Sequence, residues 1–228
     1  MKYLRKFATE AEIDVDVEPN VVLVSESNRI FYNVKKGVFI QHIDGSLYTI
    51  EDWSAKGFAN DEANGVAVCS NEASFVIAKE RKSNRFGGKG KIVPNIVTTK
   101  NKDEALLDFG GLHNTSAIVT ELNGYIDSEG TSGSPVASAC ANYVFPNGRK
   151  GYLPSMGEFS IIARYMTDIE TALSYIGGAK ISTGNFFWLS TQGDSTSEWC
   201  AYVTQSGETS FSMKDKYLIN SCVVLTNL

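Results

Sequence analysis

The chain has 228 residues, 43% of them hydrophobic and 21% charged, with a net charge of −5 at pH 7. That is enough chain and apolar content for one substantial core, in an ordinary globular composition. The acidic balance argues against a nucleic-acid partner, which needs a basic face, and no apolar run approaches the length that crosses a bilayer.

Residues 1–35 read as a separate N-terminal arm for assembly. The start, Met1-Lys-Tyr-Leu-Arg-Lys6, is basic but has no apolar stretch behind it. No signal peptide is therefore expected, and synthesis is placed in a cytoplasm. Phe7-Ala-Thr-Glu-Ala-Glu12 predicts one short helical turn, and Pro19-Asn-Val-Val-Leu-Val24 and Arg29-Ile-Phe-Tyr32 predict short strands. An arm of this size buries no core alone, so it is expected to pair with the body or with another subunit.

The body, residues 36–228, opens with Asp44-Gly45 between two apolar runs, which predicts a hairpin with a two-residue turn. Thr49-Ile-Glu-Asp-Trp53 predicts a short capped helix. Gly65-Val-Ala-Val-Cys69 and Ser74-Phe-Val-Ile-Ala78 are apolar enough for buried strands. The basic run from 79 to 91 and the whole of 83–103 read as a solvated loop.

Three helices follow. Ser134-Pro135 supplies a cap and a first-turn proline, with Val136, Ala139, Cys140 and Tyr143 on one face and Pro146-Asn-Gly148 as the stop. Ser155-Met-Gly-Glu158 has capping-box form ahead of the stripe Phe159, Ile162, Ala163 and Met166. Thr167-Asp-Ile-Glu170 repeats that logic for Ile169, Ala172, Leu173 and Ile176, and Gly177-Gly178 ends it. Beyond lie four short strand signals: Phe186-Phe-Trp188, Trp199-Cys-Ala-Tyr-Val203, Thr209-Ser-Phe-Ser212 and Cys222-Val-Val-Leu225. Strands, then helices, then strands indicate an α+β domain. The four cysteines, Cys69, Cys140, Cys200 and Cys222, form no CxxC pair and read as buried free thiols, with a Cys200–Cys222 bridge as the second reading.

Gly151-Tyr-Leu-Pro-Ser-Met-Gly-Glu158, Ile176-Gly-Gly178 and Phe187-Trp-Leu-Ser-Thr-Gln192 together resemble C-type-lectin-fold proteins of the formylglycine-generating-enzyme type. Within these the resemblance is to the variable proteins that retroelements diversify in gut bacteria and their phages, relatives of the major tropism determinant. Ser190-Thr-Gln192, Trp199, Gly207, Lys214 and Cys222-Val-Val224 stand where that family has its framework. Leu189 replaces a Ser, Glu198 an Ala, and the closing Arg-Pro is missing. The likeness covers about residues 105–228, and more faintly the body from 37. The arm, with Pro19-Asn20, is similar to a segment of phage virion proteins.

The resemblance implies a C-type-lectin-like fold, with two or more helices packed on short antiparallel strands, plus the N-terminal arm. It implies a non-enzymatic receptor-recognition protein without metal or cofactor, carried on a virion or another extracellular display structure. The partner would be a cell-surface protein or glycan of a target bacterium, and the assembly a homo-oligomer, a trimer by analogy. The implied ligand-binding residues are Gln192, Asp194, Ser195, Thr196, Ser197, Tyr202, Thr204, Glu208, Ser210, Ser212, Asp215 and Tyr217. The residues themselves agree in part, because ten of the 31 positions from Ser190 to Asn220 are Ser or Thr, interleaved with aromatics. Small adaptable polar groups beside rigid rings are how antibody paratopes are built. Trp199 matches a framework position and reads as core; Tyr202 and Tyr217 fit either core or contact.

The rival is a chymotrypsin-like serine protease. Gly130-Thr-Ser-Gly-Ser-Pro-Val136 has the form of a nucleophile loop, which would make Ser132 the nucleophile, His42 the general base and Asp61 its orienter. Two helices after Ser132 are foreign to that fold, and Ser134-Pro135 already serves as a helix start. Glu18-Pro-Asn20 spells a calcium-lectin motif but lies in the arm, and Gly87-Gly-Lys-Gly-Lys91 lacks the spacing of a phosphate-binding loop.

Overall fold

The computed structural model describes residues 36–228 in full and, before them, the strands β1 (Arg5–Phe7), β2 (Val22–Ser25) and β3 (Ile30–Tyr32). The helical turn expected over 7–12 and the Glu18-Pro-Asn20 motif lie outside the described residues, apart from Phe7, which ends β1. The chain forms two compact units, 1–37 and 38–228. In the first, β2 pairs in parallel with β1 and antiparallel with β3.

The second unit is mixed α+β. Its strands are β4 (Gly37–His42), β5 (Leu47–Tyr48), β6 (Ala63–Cys69), β7 (Ser74–Arg85), β8 (Asn185–Gln192), β9 (Ser197–Val203), β10 (Thr209–Asp215) and β11 (Ile219–Asn227). They form one sheet in the order β10-β9-β8-β11-β7-β6-β4-β5. Six helices are present among the described residues: α1 (Ile50–Lys56), α2 (Lys102–Ala105), α3 (Gly111–Glu121), α4 (Pro135–Asn142), α5 (Met156–Arg164) and α6 (Met166–Tyr175). None is long and apolar enough to cross a membrane.

Local chemistry sets most of these boundaries. Thr49 accepts the Asp52 amide at 3.1 Å to start α1, and Gly57, at φ +68°, ends it in the left-handed region. Ser155 and Glu158 close the expected capping box on α5, and Ser134 caps α4 with Pro135 in the first turn. The start of α6 differs: its cap position is Tyr165, without a side-chain bond, and Thr167 lies inside the helix. α4 also ends before the expected stop, because Tyr143 is already extended and residues 144–150 form a small bridged loop. The β4–β5 turn is wider than two residues, with the His42 amide donating to the Ser46 carbonyl across 43–45.

One sheet face carries Phe187, Leu189, Trp199, Ala201, Val203, Val223 and Leu225 into a core shared with Phe159, Ile162, Ile169 and Leu173 of α5 and α6. Cys222 faces the other way, toward Cys140 of α4. The expected solvated loop after residue 83 is corrected in its first part. β7 runs on through Arg85, and Phe86, Gly87, Gly88 and Val93 are buried. Alternate residues of that strand face water, which is why its run of Lys, Arg and Ser hides its pairing with β11.

Candidate functional site

The β8–β9 turn and the β10–β11 turn lie side by side at one end of the sheet, since Ser197 pairs with Asp215 and the Lys216 amide donates to the Thr196 carbonyl at 3.0 Å. Two further segments join them. Gly90 donates to the Ser195 carbonyl at 2.7 Å, and Gly87 to that of Lys216 at 3.1 Å. From the α3–α4 connection, Asp127 accepts the Lys89 amide at 3.3 Å, while the Tyr125 hydroxyl donates to the Lys89 carbonyl at 3.0 Å. Four segments distant in sequence are thereby locked into one platform.

Lys89 is its hub. Its ammonium lies 3.0 Å from Asp215 and 3.3 Å from Glu129, and 5.0 Å from the centre of the Tyr217 ring. On or next to the same segments Ile126 is 67% exposed, Ile219 66% and Tyr217 43%. Apolar and aromatic groups left in water beside compensated charges are the composition of a contact surface rather than of a core.

Asp194 braces its own turn. One carboxylate oxygen accepts the Thr196 and Ser197 amides at 2.7 Å each, and the other meets Lys100 at 2.8 Å. Burial disfavours the charge, but Lys100 and the bonds from Thr196 and Ser197 outweigh it and hold the carboxyl below the usual range. Beneath the platform, Glu198 and Lys216 are both buried, 3.4 Å apart. No described group donates a well-aligned hydrogen bond to the Glu198 carboxylate. Burial pushes Glu198 up to about 8 despite the opposing effect of Lys216.

The twelve residues expected to bind ligand do not share one patch. Asp194, Ser195, Thr196, Ser197, Asp215 and Tyr217 belong to the platform. Thr204 and Glu208 belong to the β9–β10 turn, at the far end of β9, about 20 Å away by strand rise. Tyr202, Ser210 and Ser212 share the outer face between the two ends, where Tyr202 packs on Phe186 at 4.8 Å and Lys214 covers the same ring at 4.2 Å. Gln192 is corrected outright: it is 1% exposed, accepts the Val93 amide at 2.9 Å and donates to Thr98 at 2.7 Å. Trp199 is core, as expected, with its indole nitrogen donating to the Thr99 carbonyl.

No family model and no curated protein matches the sequence. Among solved structures, a fimbrial protein from Bacteroides ovatus matches 90% of this chain with a TM-score of 0.55 and 14% sequence identity. The chain spans 50% of that protein's length. At this identity the likeness is one of fold.

The residues of the rival reading are not brought together. Ser132 sits exposed in an isolated bridge with Ile126, on the platform side. The His42 ring packs against Tyr48, Trp53 and Phe58 and faces Asp44 at 3.1 Å and Glu62 at 3.7 Å. Cys200 and Cys222 are not bridged: the Cys200 sulfur accepts from Asn220, and the sulfur beside Cys222 is that of Cys140. Sequence reasoning missed Lys89, Glu129, Ile126 and Ile219. For Ile126 and Ile219 the sequence signal is a large apolar residue beside turn formers; Lys89 and Glu129 look like ordinary solvated charges.

Proposed function

We propose that this protein recognises a ligand on the surface of a target cell, without catalysis, through the platform at one end of a C-type-lectin-like fold. The observation that carries the reading is the cross-bracing of four sequence-distant segments around Lys89, which leaves Thr196, Tyr217, Ile126 and Ile219 displayed on rigid backbone. Pre-ordered loops bind without a further ordering cost, so side chains there can vary while the scaffold stays fixed. The resemblance of the closing segment to variable proteins diversified by retroelements supports the reading. The fold likeness to a fimbrial protein suits a displayed component, on a phage particle or a comparable surface structure. Single platforms of this size bind modestly, and a homo-oligomer, a trimer by analogy, supplies avidity.

The test is an array of bacterial surface glycans and surface proteins probed with the full chain. Replacing Thr196, Tyr217 and Ile219 together by Ala should weaken the captured interaction at least tenfold, roughly the loss of one hot-spot contact. Replacing Thr204 and Glu208 should leave it nearly unchanged. Binding that survives the first set and fails with the second would overturn the assignment to this end.

A further inference from the structure

The sulfurs of Cys140 and Cys222 lie 3.5 Å apart across the contact between α4 and the central strand β11. All four thiols of the chain are buried, but the other two have different neighbours, Ser74 for Cys69 and Asn220 for Cys200. A disulfide needs sulfurs at about 2.05 Å, so closure asks for a movement of about 1.5 Å, within reach of side-chain rotation on neighbouring elements. We propose that Cys140 and Cys222 form an intramolecular disulfide when the chain folds in an oxidising medium, stapling α4 to the middle of the sheet.

The reaction takes a small-molecule disulfide, such as oxidised glutathione, as co-reactant. The thiolate of one cysteine attacks a glutathione sulfur, forming a mixed disulfide and releasing one glutathione thiolate. The second thiolate then attacks the protein sulfur of that mixed disulfide and expels the other glutathione. Two protein thiols give up two protons and two electrons, and one glutathione disulfide becomes two glutathione thiols.

Timing is built into the packing. Both sulfurs are fully shielded once α4 covers β11. The hydrogen bond to Cys222 and burial also keep Cys140 in its unreactive thiol form. The bond therefore forms before native packing closes, while the chain is still accessible. The folded protein then holds whichever redox state it folded in, slow to oxidise if reduced and slow to reduce if bridged.

Denatured, reduced full-length chain should be refolded once in a glutathione redox buffer and once in excess reductant. Each sample is then unfolded in iodoacetamide and analysed by intact mass and peptide mapping. The redox sample should carry two alkyl groups, on Cys69 and Cys200, with the Cys140 and Cys222 peptides linked. The reduced sample should carry four. The bridged form should melt about 5–10 °C higher, as expected for a bond closing so long a loop. Four alkylated cysteines in both samples, or a link involving Cys200, would overturn the proposal. A Cys69→Ser/Cys200→Ser variant retains only the two proposed partners. It should bridge equally well, and its failure to do so while folded would also count against it.

Discussion

Glu198 shows how one residue can tie the site to solution conditions. Burial raises its pKa from 4.5 to about 8, so the fold favours the protonated form. The stabilising contribution is complete below pH 4.5 and is lost as pH rises through about 8. Glu158, pushed up to about 7 mainly by burial, acts in the same direction. Glu198→Gln removes the larger of the two dependences. Thermal melts should show the variant and the parent alike near about pH 5, with the variant more stable near about pH 9. A parallel decline of both across that range would show that the carboxyl ionises freely. The same residue marks a limit of sequence reading, because a Glu and a Lys in a Ser/Thr-rich segment look solvated until the fold places one beneath the other. Gln192 misleads for the opposite reason: its partners Val93 and Thr98 lie far away along the chain, so nothing local announces a buried amide.

At the scale of elements, α5 is the part most legible in advance, and it is also the easiest to perturb selectively. Removing the cap with Ser155→Ala should cost about 1 kcal/mol and lower the melting temperature by about 2–4 °C. Gly157→Ala tests something the cap does not. A methyl there would lie 2.4 Å from the Asp108 carbonyl oxygen and 2.9 Å from that of Leu106, so the helix would have to back away from the chain it rests on. Its melting temperature should fall by clearly more than that of Ser155→Ala in the same calorimetric series; an equal or smaller drop would mean the contact yields easily. α4 and α5 are readable from their caps and α6 from its apolar stripe alone, because these signals are local. α3 is not, since it begins at Gly110-Gly111 without a capping side chain and turns Asn114 and Thr115 inward. Asn114 donates to Asp108 there, and Thr115 to Gly111. A helix with a polar interior face carries no apolar periodicity to find.

For the molecule as a whole, the sequence discloses the α+β class, and the structure adds the continuous eight-stranded sheet that its short strand signals conceal. The assembly proposed for avidity is checked by light scattering on the full chain: a trimer of 24.9 kDa chains is expected, and a monomer at all accessible concentrations would remove that part of the reading. The platform's binding does not depend on that outcome, because its bracing lies within one chain.

β11 is the last strand in sequence yet stands between β8 and β7, and its register with β8 is a single parallel pair, Ser221 with Phe187. During synthesis the earlier hairpins can zip among themselves, but no strand stands between β7 and β8 until β11 leaves the ribosome. Until then β7 and β8 each present a raw edge, and such edges invite pairing with other nascent chains. β11 is made after the strands it joins, so the risk of misassembly persists until it is in place.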